Sequence, residues 1–223
     1  MAKRVGAAAL IGLLCYPSIA TSLPAAATTQ PQGAKLAAAV VKTLVVKGRA
    51  PKTGYSRAQF GARWADVDHN GCDTRNDILR RDLTNLTFRS GSCVVLTGVL
   101  RDPYGGGVIH FVRGAATSSA IQIDHVVPLS DAWQKGAFAW TINKRTAFAN
   151  DPLELLAVDG PLNERKGDSD AASWLPPNKA FRCSYVARQI AVKAKYGVWV
   201  TAAERDVLSK VLAKCPRQVL PAG

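Results

Sequence analysis

The chain is short of exactly the features that would make several readings easy. It holds only three histidines in 223 residues. A histidine-rich metal centre is therefore excluded, and any catalytic imidazole must be His69, His110 or His125. No C-x-x-C pair occurs, which weighs against a structural zinc knuckle, the rival reading for the cysteines. No internal repeat is visible, and no low-complexity domain follows the N-terminal leader. No helix-turn-helix or zinc-finger signature suggests a module that reads base sequence. Acidic residues number 16 against 29 lysines and arginines, a formal net charge of +13. An excess of that sign draws a protein to polyanions such as nucleic acid, anionic cell-wall polymers or membrane surfaces. Charge alone does not choose among these, and a generally basic soluble surface is the plain alternative.

The longest apolar run is Val5 to Leu14, too short to anchor in a bilayer, and no later segment is long enough. Lys3 and Arg4 precede it and Ala25-Ala26-Ala27 follows, so residues 1–27 read as a secretory signal. Ser18-Ile19-Ala20 offers an earlier cut, and Leu14 fits a lipoprotein signal at Cys15 poorly. Losing Lys3 and Arg4 leaves a charge of +11. The expected location is extracellular, with no membrane contact after cleavage. In an oxidising compartment Cys72, Cys93, Cys183 and Cys215 suggest two disulfides. Three pairings are open. Cys72–Cys93 and Cys183–Cys215 are favoured because each closes a modest loop, a gain of about 3 kcal/mol.

Residues 28–57 read as a leader with a short amphipathic helix, in which Leu36, Val40, Val41, Leu44 and Val45 share a face. A helix should start near Thr74, with Ile78, Leu79 and Leu83 inward. Residues 93–100 and 108–112 read as a hairpin around Asp102-Pro103-Tyr104-Gly105-Gly106-Gly107. Strands follow at 120–127 and 153–158, with a helix over 130–139 between them. Pro161 suits a helix start. A helix spans 184–196, and Thr201-x-x-Glu204 opens a last one as a capping box, running to about Lys214. Trp64, Trp133, Trp174 and Trp199 read as core, and His110 as a structural or surface residue. Residues 58–215 form one domain and 216–223 a tail.

The chemistry concentrates between Ile121 and Pro177. Asp124-His125 closes an apolar run, Asn150 precedes the next, and Asn163 and Lys166 lie on a short helix. Phosphodiester cleavage needs a base for water, a cation on the phosphate and groups that fix geometry. His125 titrates in the range useful for a base. Asp124 and Asn163 supply oxygens suited to Mg²⁺ or Mn²⁺, one catalytic ion. Asn150 is placed to fix the loop carrying His125. The bland readings are a buried Asp-His pair, a turn-capping Asn150, a first-turn polar Asn163 and a solvated Lys166. A second oxygen-rich loop, Asp66-x-Asp68-x-Asn70-Gly71 with Asp77 at the twelfth position, nearly matches an EF-hand and could take Ca²⁺. An Asx-rich turn leading into the Thr74 helix is its default.

Asp-His-x-x-Pro, Asn-x-x-Leu-x-Leu and Asn-x-x-Lys-Gly in this order resemble the HNH nucleases, in the His-Asn-Asn variant. The chain is closer still to small secreted bacterial proteins related to the C-terminal domain of GmrSD-type restriction enzymes. There Gly71-Cys72-Asp73-Thr74-Arg75, Asp102-Pro103-Tyr104, Ala149-Asn150-Asp151-Pro152 and Trp174-Leu175-Pro176-Pro177 have counterparts. The resemblance implies an α+β fold: a ββα-metal core with an added β-hairpin and peripheral helices. It implies His125 as general base, Asp124 and Asn163 as metal ligands, and Asn150 orienting the His-bearing loop. Lys166, and less so Arg145, become phosphate contacts, and Arg75 is allowed near the site. The implied activity is a secreted endonuclease of low sequence specificity on DNA, with RNA also open. No protein partner is indicated. The alternatives are a non-catalytic binder of nucleic acid or surface polyanions, and a hydrolase of another phosphodiester such as teichoic acid.

Overall fold

The computed structural model describes residues 1–3 and 35–222. The expected signal cleavage sites and Cys15 lie outside the described residues. A compact unit runs from Gly33 to Gly223, in the order α1 (Ala37–Val40), α2 (Thr74–Asp82), β1 (Leu83–Phe88), β2 (Val95–Arg101), β3 (Val108–Val112), β4 (Ile121–His125), α3 (Leu129–Gln134), α4 (Ile142–Ala149), β5 (Leu155–Asp159), α5 (Gly160–Lys166), α6 (Arg182–Tyr196) and α7 (Ala202–Leu212). The class is mixed helix and sheet, as expected. No helix among the described residues is long and apolar enough to cross a membrane.

The central pair is β4–β5, antiparallel, with Ile121 opposite Asp159 and His125 opposite Leu155. Both faces are buried, because side chains alternate and each face meets its own core. Ile121, Ile123, Leu155 and Ala157 pack with Ile78, Leu79, Leu83, Val95, Leu100 and Phe111 beneath α2 and the second sheet. Leu156 and Val158 turn the other way, into the larger core with Tyr104, Phe148, Tyr185, Ile190 and Leu208. Gln122 and Asp124 share that second direction, whereas His125 shares the first.

The expected hairpin is two-thirds of a sheet. β1, β2 and β3 pair antiparallel in that order. The helix from Thr74 ends at Asp82, and Leu83, expected on its inner face, begins β1. Leu83 stays buried, so the apolar signal was sound and its period was misread. The 130–139 helix breaks after Gln134, where Gly136 takes a positive φ of 125°. α4 was not anticipated.

The short N-terminal helix belongs to the main unit. Ala37, Val41 and Leu44 sit in the larger core, though Val45 is exposed. The amide of Ala37 donates to Gln218 and that of Leu220 to Lys35, tying the two ends of the unit side by side. Both favoured disulfides are present, Cys72–Cys93 and Cys183–Cys215. The second staples the start of α6 to the residues just after α7.

Thr201 caps α7 through the Glu204 amide, but the capping box is only half made. The Glu204 carboxylate turns inward to Lys135 and Lys193, at 2.6 and 2.9 Å. With Asp131, Asp170 and Arg49 these form a six-member ion cluster joining α3, α6, α7 and the N-terminal segment. All but Arg49 are buried.

Candidate active site

β5 runs straight into α5. Asp159 caps that helix by accepting from the Leu162 amide at 2.8 Å, and Pro161 supplies the fixed φ of a first turn. Gly160 is required by proximity, since a Cβ there would lie 2.0 Å from the Ser119 carbonyl oxygen. This close approach sets α5 across the start of β4. Asn163 then reaches Gln122, donating through Nδ2 to Oε1 at 2.9 Å. Its own Oδ1 accepts nothing among the described residues.

At the far end of β4, alternation separates Asp124 from His125. Asp124 is 5% exposed. Its Oδ1 accepts from Lys166 Nζ at 2.9 Å, and its Oδ2 accepts from the Tyr104 hydroxyl. Burial pushes this carboxyl up, opposed by the Lys166 ammonium and the Tyr104 hydrogen bond. Tyr104 is itself fully buried against Trp174 and Tyr185. Burial, then the charge of Asp124, holds its phenol far above the usual range.

His125 remains partly exposed. Its Nε2 donates to the Ala149 carbonyl at 2.9 Å, which leaves Nδ1 as the nitrogen with a lone pair. Burial lowers its pKa from 6.5 to about 3, and Arg57, Lys166 and Arg63 push the same way against the Ala149 hydrogen bond. The imidazole is neutral at pH 7, with a pKa well below the range near 6.5 expected of it as a general base from sequence. Trp64 stacks over it, centroids 6.4 Å apart and planes within 14°. Trp64 also packs on the smaller core, so it is core on one side and a wall of the site on the other.

Two residues hold the imidazole's surroundings. Asn150 is fully buried and caps α4, donating through Nδ2 to Thr146 at 2.9 Å. It immediately follows the Ala149 carbonyl that His125 holds, so it fixes that acceptor. Its Oδ1 is buried without a partner. Glu154 is also fully buried. It accepts from the Val127 amide at 3.2 Å through its carboxylate, while its backbone carbonyl accepts from Val126 at 2.9 Å. Burial raises its pKa strongly.

Asp124, His125 and Asn163 line one cleft of about 260 Å³, together with Tyr55, Arg57 and Asp168. A larger cleft of about 730 Å³ lies along α4 between Asp66, Asp151 and Tyr196. It contains none of these three residues, and its Asp151 is already bonded to Tyr196 and Lys195.

Of the three expected substrate contacts, Lys166 is turned inward beneath the site, and Arg145 and Arg75 are directed to backbone carbonyls away from it. Lys166 is 1% exposed and spends its ammonium on Asp124 and the His125 carbonyl, both at 2.9 Å. It is an internal counter-ion, because an unpaired lysine could not remain charged at that depth. Arg145 donates to the carbonyls of Gln59, Ala137 and Trp140. Arg75 is half-buried and directed to the carbonyls of Ser118 and Ile121, at the opposite end of β4 from His125. The Asp66–Asp77 loop takes the Asx-turn form. Asp66 and Asp68 accept from the amides of Asn70 and Gly71, and the Asn70 Nδ2 donates to Asp68 and Asp77. Asn70 thus puts a donor between the carboxylates. Among the described residues no three His, Cys, Asp or Glu side chains converge as a metal-holding group.

Sequence reasoning passed over Tyr104, Glu154, Trp64 and Arg57. Tyr104 stood in a quoted motif but was read as a turn residue. Glu154 had a signal, a lone acid in an apolar run. Arg57 had none.

Asp124 with its buried partner Lys166, His125 on the adjacent strand face and Asn163 from the following helix thus border one cleft of an α+β scaffold. Residues 73–211 match the family model of the C-terminal domain of GmrSD restriction endonucleases, and the chain belongs to that family. It is also 37% identical over 199 residues to a protein of Arthroderma benhamiae bearing the description "uncharacterized secreted protein", covering 88% of this chain and 93% of the relative.

Proposed function

We propose that the protein is an exported HNH-type endonuclease that hydrolyses phosphodiester bonds in DNA at low sequence specificity, with RNA the alternative polymer that the experiment below tests. The observation that carries this reading is the cleft itself. A neutral imidazole, held by Ala149, faces the same space as the Asn163 amide and the Asp124 carboxylate. A binding protein has no need of that combination. β4, β5 and α5 serve as the ββα unit, Asn150 orients the His125 loop through Ala149, and Tyr104 and Lys166 hold Asp124.

Nδ1 of His125 takes a proton from water. The oxygen so activated bonds to phosphorus as the ester P–O bond on its far side breaks, and the leaving oxygen is protonated from solvent. Asn163 offers an unpartnered Oδ1, and Asp124 a carboxylate whose oxygens already accept from Lys166 and Tyr104, so Mg²⁺ or Mn²⁺ would be held there mainly through water and phosphate, as these ions commonly are. Bound there, such an ion would stabilise charge developing on the phosphate and leaving oxygen. Lys166 Nζ, already on Asp124, favours the ionised carboxylate against the burial that raises its pKa.

Export is supported by the signal-like N-terminus, the two disulfides and the secreted relative. The nuclease unit extends from about residue 35 to 220.

The deciding experiment is cleavage of plasmid and single-stranded DNA and of RNA by the mature chain, with Mg²⁺, Mn²⁺ or EDTA. Nicking should require the metal and fall about a thousandfold in His125→Ala. Salt-sensitive binding without cleavage in any metal would assign the protein to the non-catalytic binders.

A further inference from the structure

Arg57 is the only cation among the residues lining the His125 cleft, and it has no partner among the described residues. Its guanidinium Nη1 is buried and makes no hydrogen bond. Buried donors of that kind are rare in folded proteins unless a ligand or water meets them. The carboxylates of the same cleft are spoken for: Asp124 by Lys166, and Asp168 by Lys52 at 2.9 Å. Arg63 stands near enough that its charge lowers the Arg57 pKa, after burial itself. Among the described residues the cleft therefore carries an arginine charge that no protein group pairs.

The turn bearing Arg57 is rigid. Residues Arg57–Phe60 form one turn of 3-10 helix. Phe60 is fully buried against Trp133 and Phe148. The turn ends at Gly61, whose φ of 75° and 2.3 Å clearance to Thr146 Oγ1 for an added Cβ leave no other residue a place. Arg145 donates to the Gln59 carbonyl at 2.6 Å and to its side chain at 3.4 Å. Arg145, expected at the phosphate, instead splints the turn that carries an arginine to the cleft. Arg57 also lies outside residues 73–211, so family membership assigns it no role.

We propose that Arg57 is a substrate-binding residue of this cleft, its guanidinium engaging an anionic oxygen of the phosphodiester. The proposal rests on the phosphodiesterase reading for its substrate. It also has a consequence that reading lacks: a group held ready for a ligand, with no internal partner, can be removed without harming the fold.

The test uses the full mature chain carrying His125→Ala, in EDTA, with fluorescein-labelled 12-mer DNA and separately with inorganic phosphate. Arg57→Gln should weaken oligonucleotide binding about tenfold or more and reduce the salt-dependence slope by about one. Arg57→Lys should recover part of the affinity, because an ammonium keeps the charge and loses the fork. In the active chain Arg57→Gln should lower kcat/KM about a hundredfold. Its melting temperature should match or exceed that of the parent, and Arg205→Gln, on exposed α7, should change none of these. Unchanged oligonucleotide and phosphate binding in Arg57→Gln, or binding lost only together with folding, would overturn the proposal. If the parent cleaves no nucleic acid while phosphate still binds through Arg57, the nuclease reading fails and the anion site stands.

Discussion

The ion cluster of α3, α6 and α7 and the ion pair beneath His125 are built from the same residue types. Both are buried, and both tie helices to the core. In the first, Lys135, Lys193 and Arg49 face Asp131, Asp170 and Glu204, three charges of each sign closed upon one another. In the second, Asp124 and Lys166 are matched, but the adjoining cleft keeps Arg57 and an amide oxygen unmatched. Complete neutralisation marks architecture, since nothing remains for a ligand to satisfy. Residual polarity at a cleft marks a place where something else completes the balance.

Removing one member of each ion group would sharpen this contrast. Lys135→Met and Asp124→Ala each strand a buried charge, and each should destabilise by about 3–5 kcal/mol in urea unfolding. Only Asp124→Ala should abolish cleavage by the protein that remains folded. Equal loss of turnover per folded molecule in both variants would erase the distinction.

The Cys183–Cys215 staple belongs to the architectural side. Cys183→Ser with Cys215→Ser should lower stability by about 3 kcal/mol and leave kcat unchanged below the new melting temperature. A fall in kcat at full folding would place α6 within the catalytic geometry.

The last test concerns pH. The folded-state pKa of His125 lies below 6.5, so on acidification the unfolded chain binds this proton first. Between about pH 6.5 and pH 3 this one group favours unfolding as pH falls. Its penalty vanishes above 6.5 and is complete below 3. His125→Gln should therefore flatten melting temperature against pH in that window. An unaltered slope would show an imidazole more solvated than the fold implies.

Much of the site could be read from residue order. Asp124-His125, Asn150 and Asn163 were legible because each sits beside a strong local signal, a strand end, a helix cap or a Pro-led helix start. Asp124, His125 and Asn163 border one cleft although alternation sends the first two to opposite faces, because the short β5–α5 junction lays Asn163 beside β4. The cations were not legible. Lys166 looks like any helix-surface lysine until the Tyr104–Asp124 contact shows which way it turns. Arg145 was expected at the phosphate and Arg57 nowhere, because what separates them is whether neighbouring carbonyls take up the guanidinium, a tertiary fact. Leu83 and the missed β1 show a related limit, since one buried leucine serves a helix face or a strand equally well. Glu204 illustrates it again: the local cap pattern was present, and two buried lysines from other helices claimed its carboxylate.

The pairing of Lys35–Ala37 with Gln218–Leu220 has a use beyond holding the ends. Two termini bonded to each other make the order in which the chain is threaded nearly arbitrary. A short linker from residue 220 to residue 35 would close the backbone into a ring, and new ends could open at the exposed loop around Gly91. The same adjacency would allow the whole unit to be spliced into a surface loop of another protein, entering and leaving through a single gap.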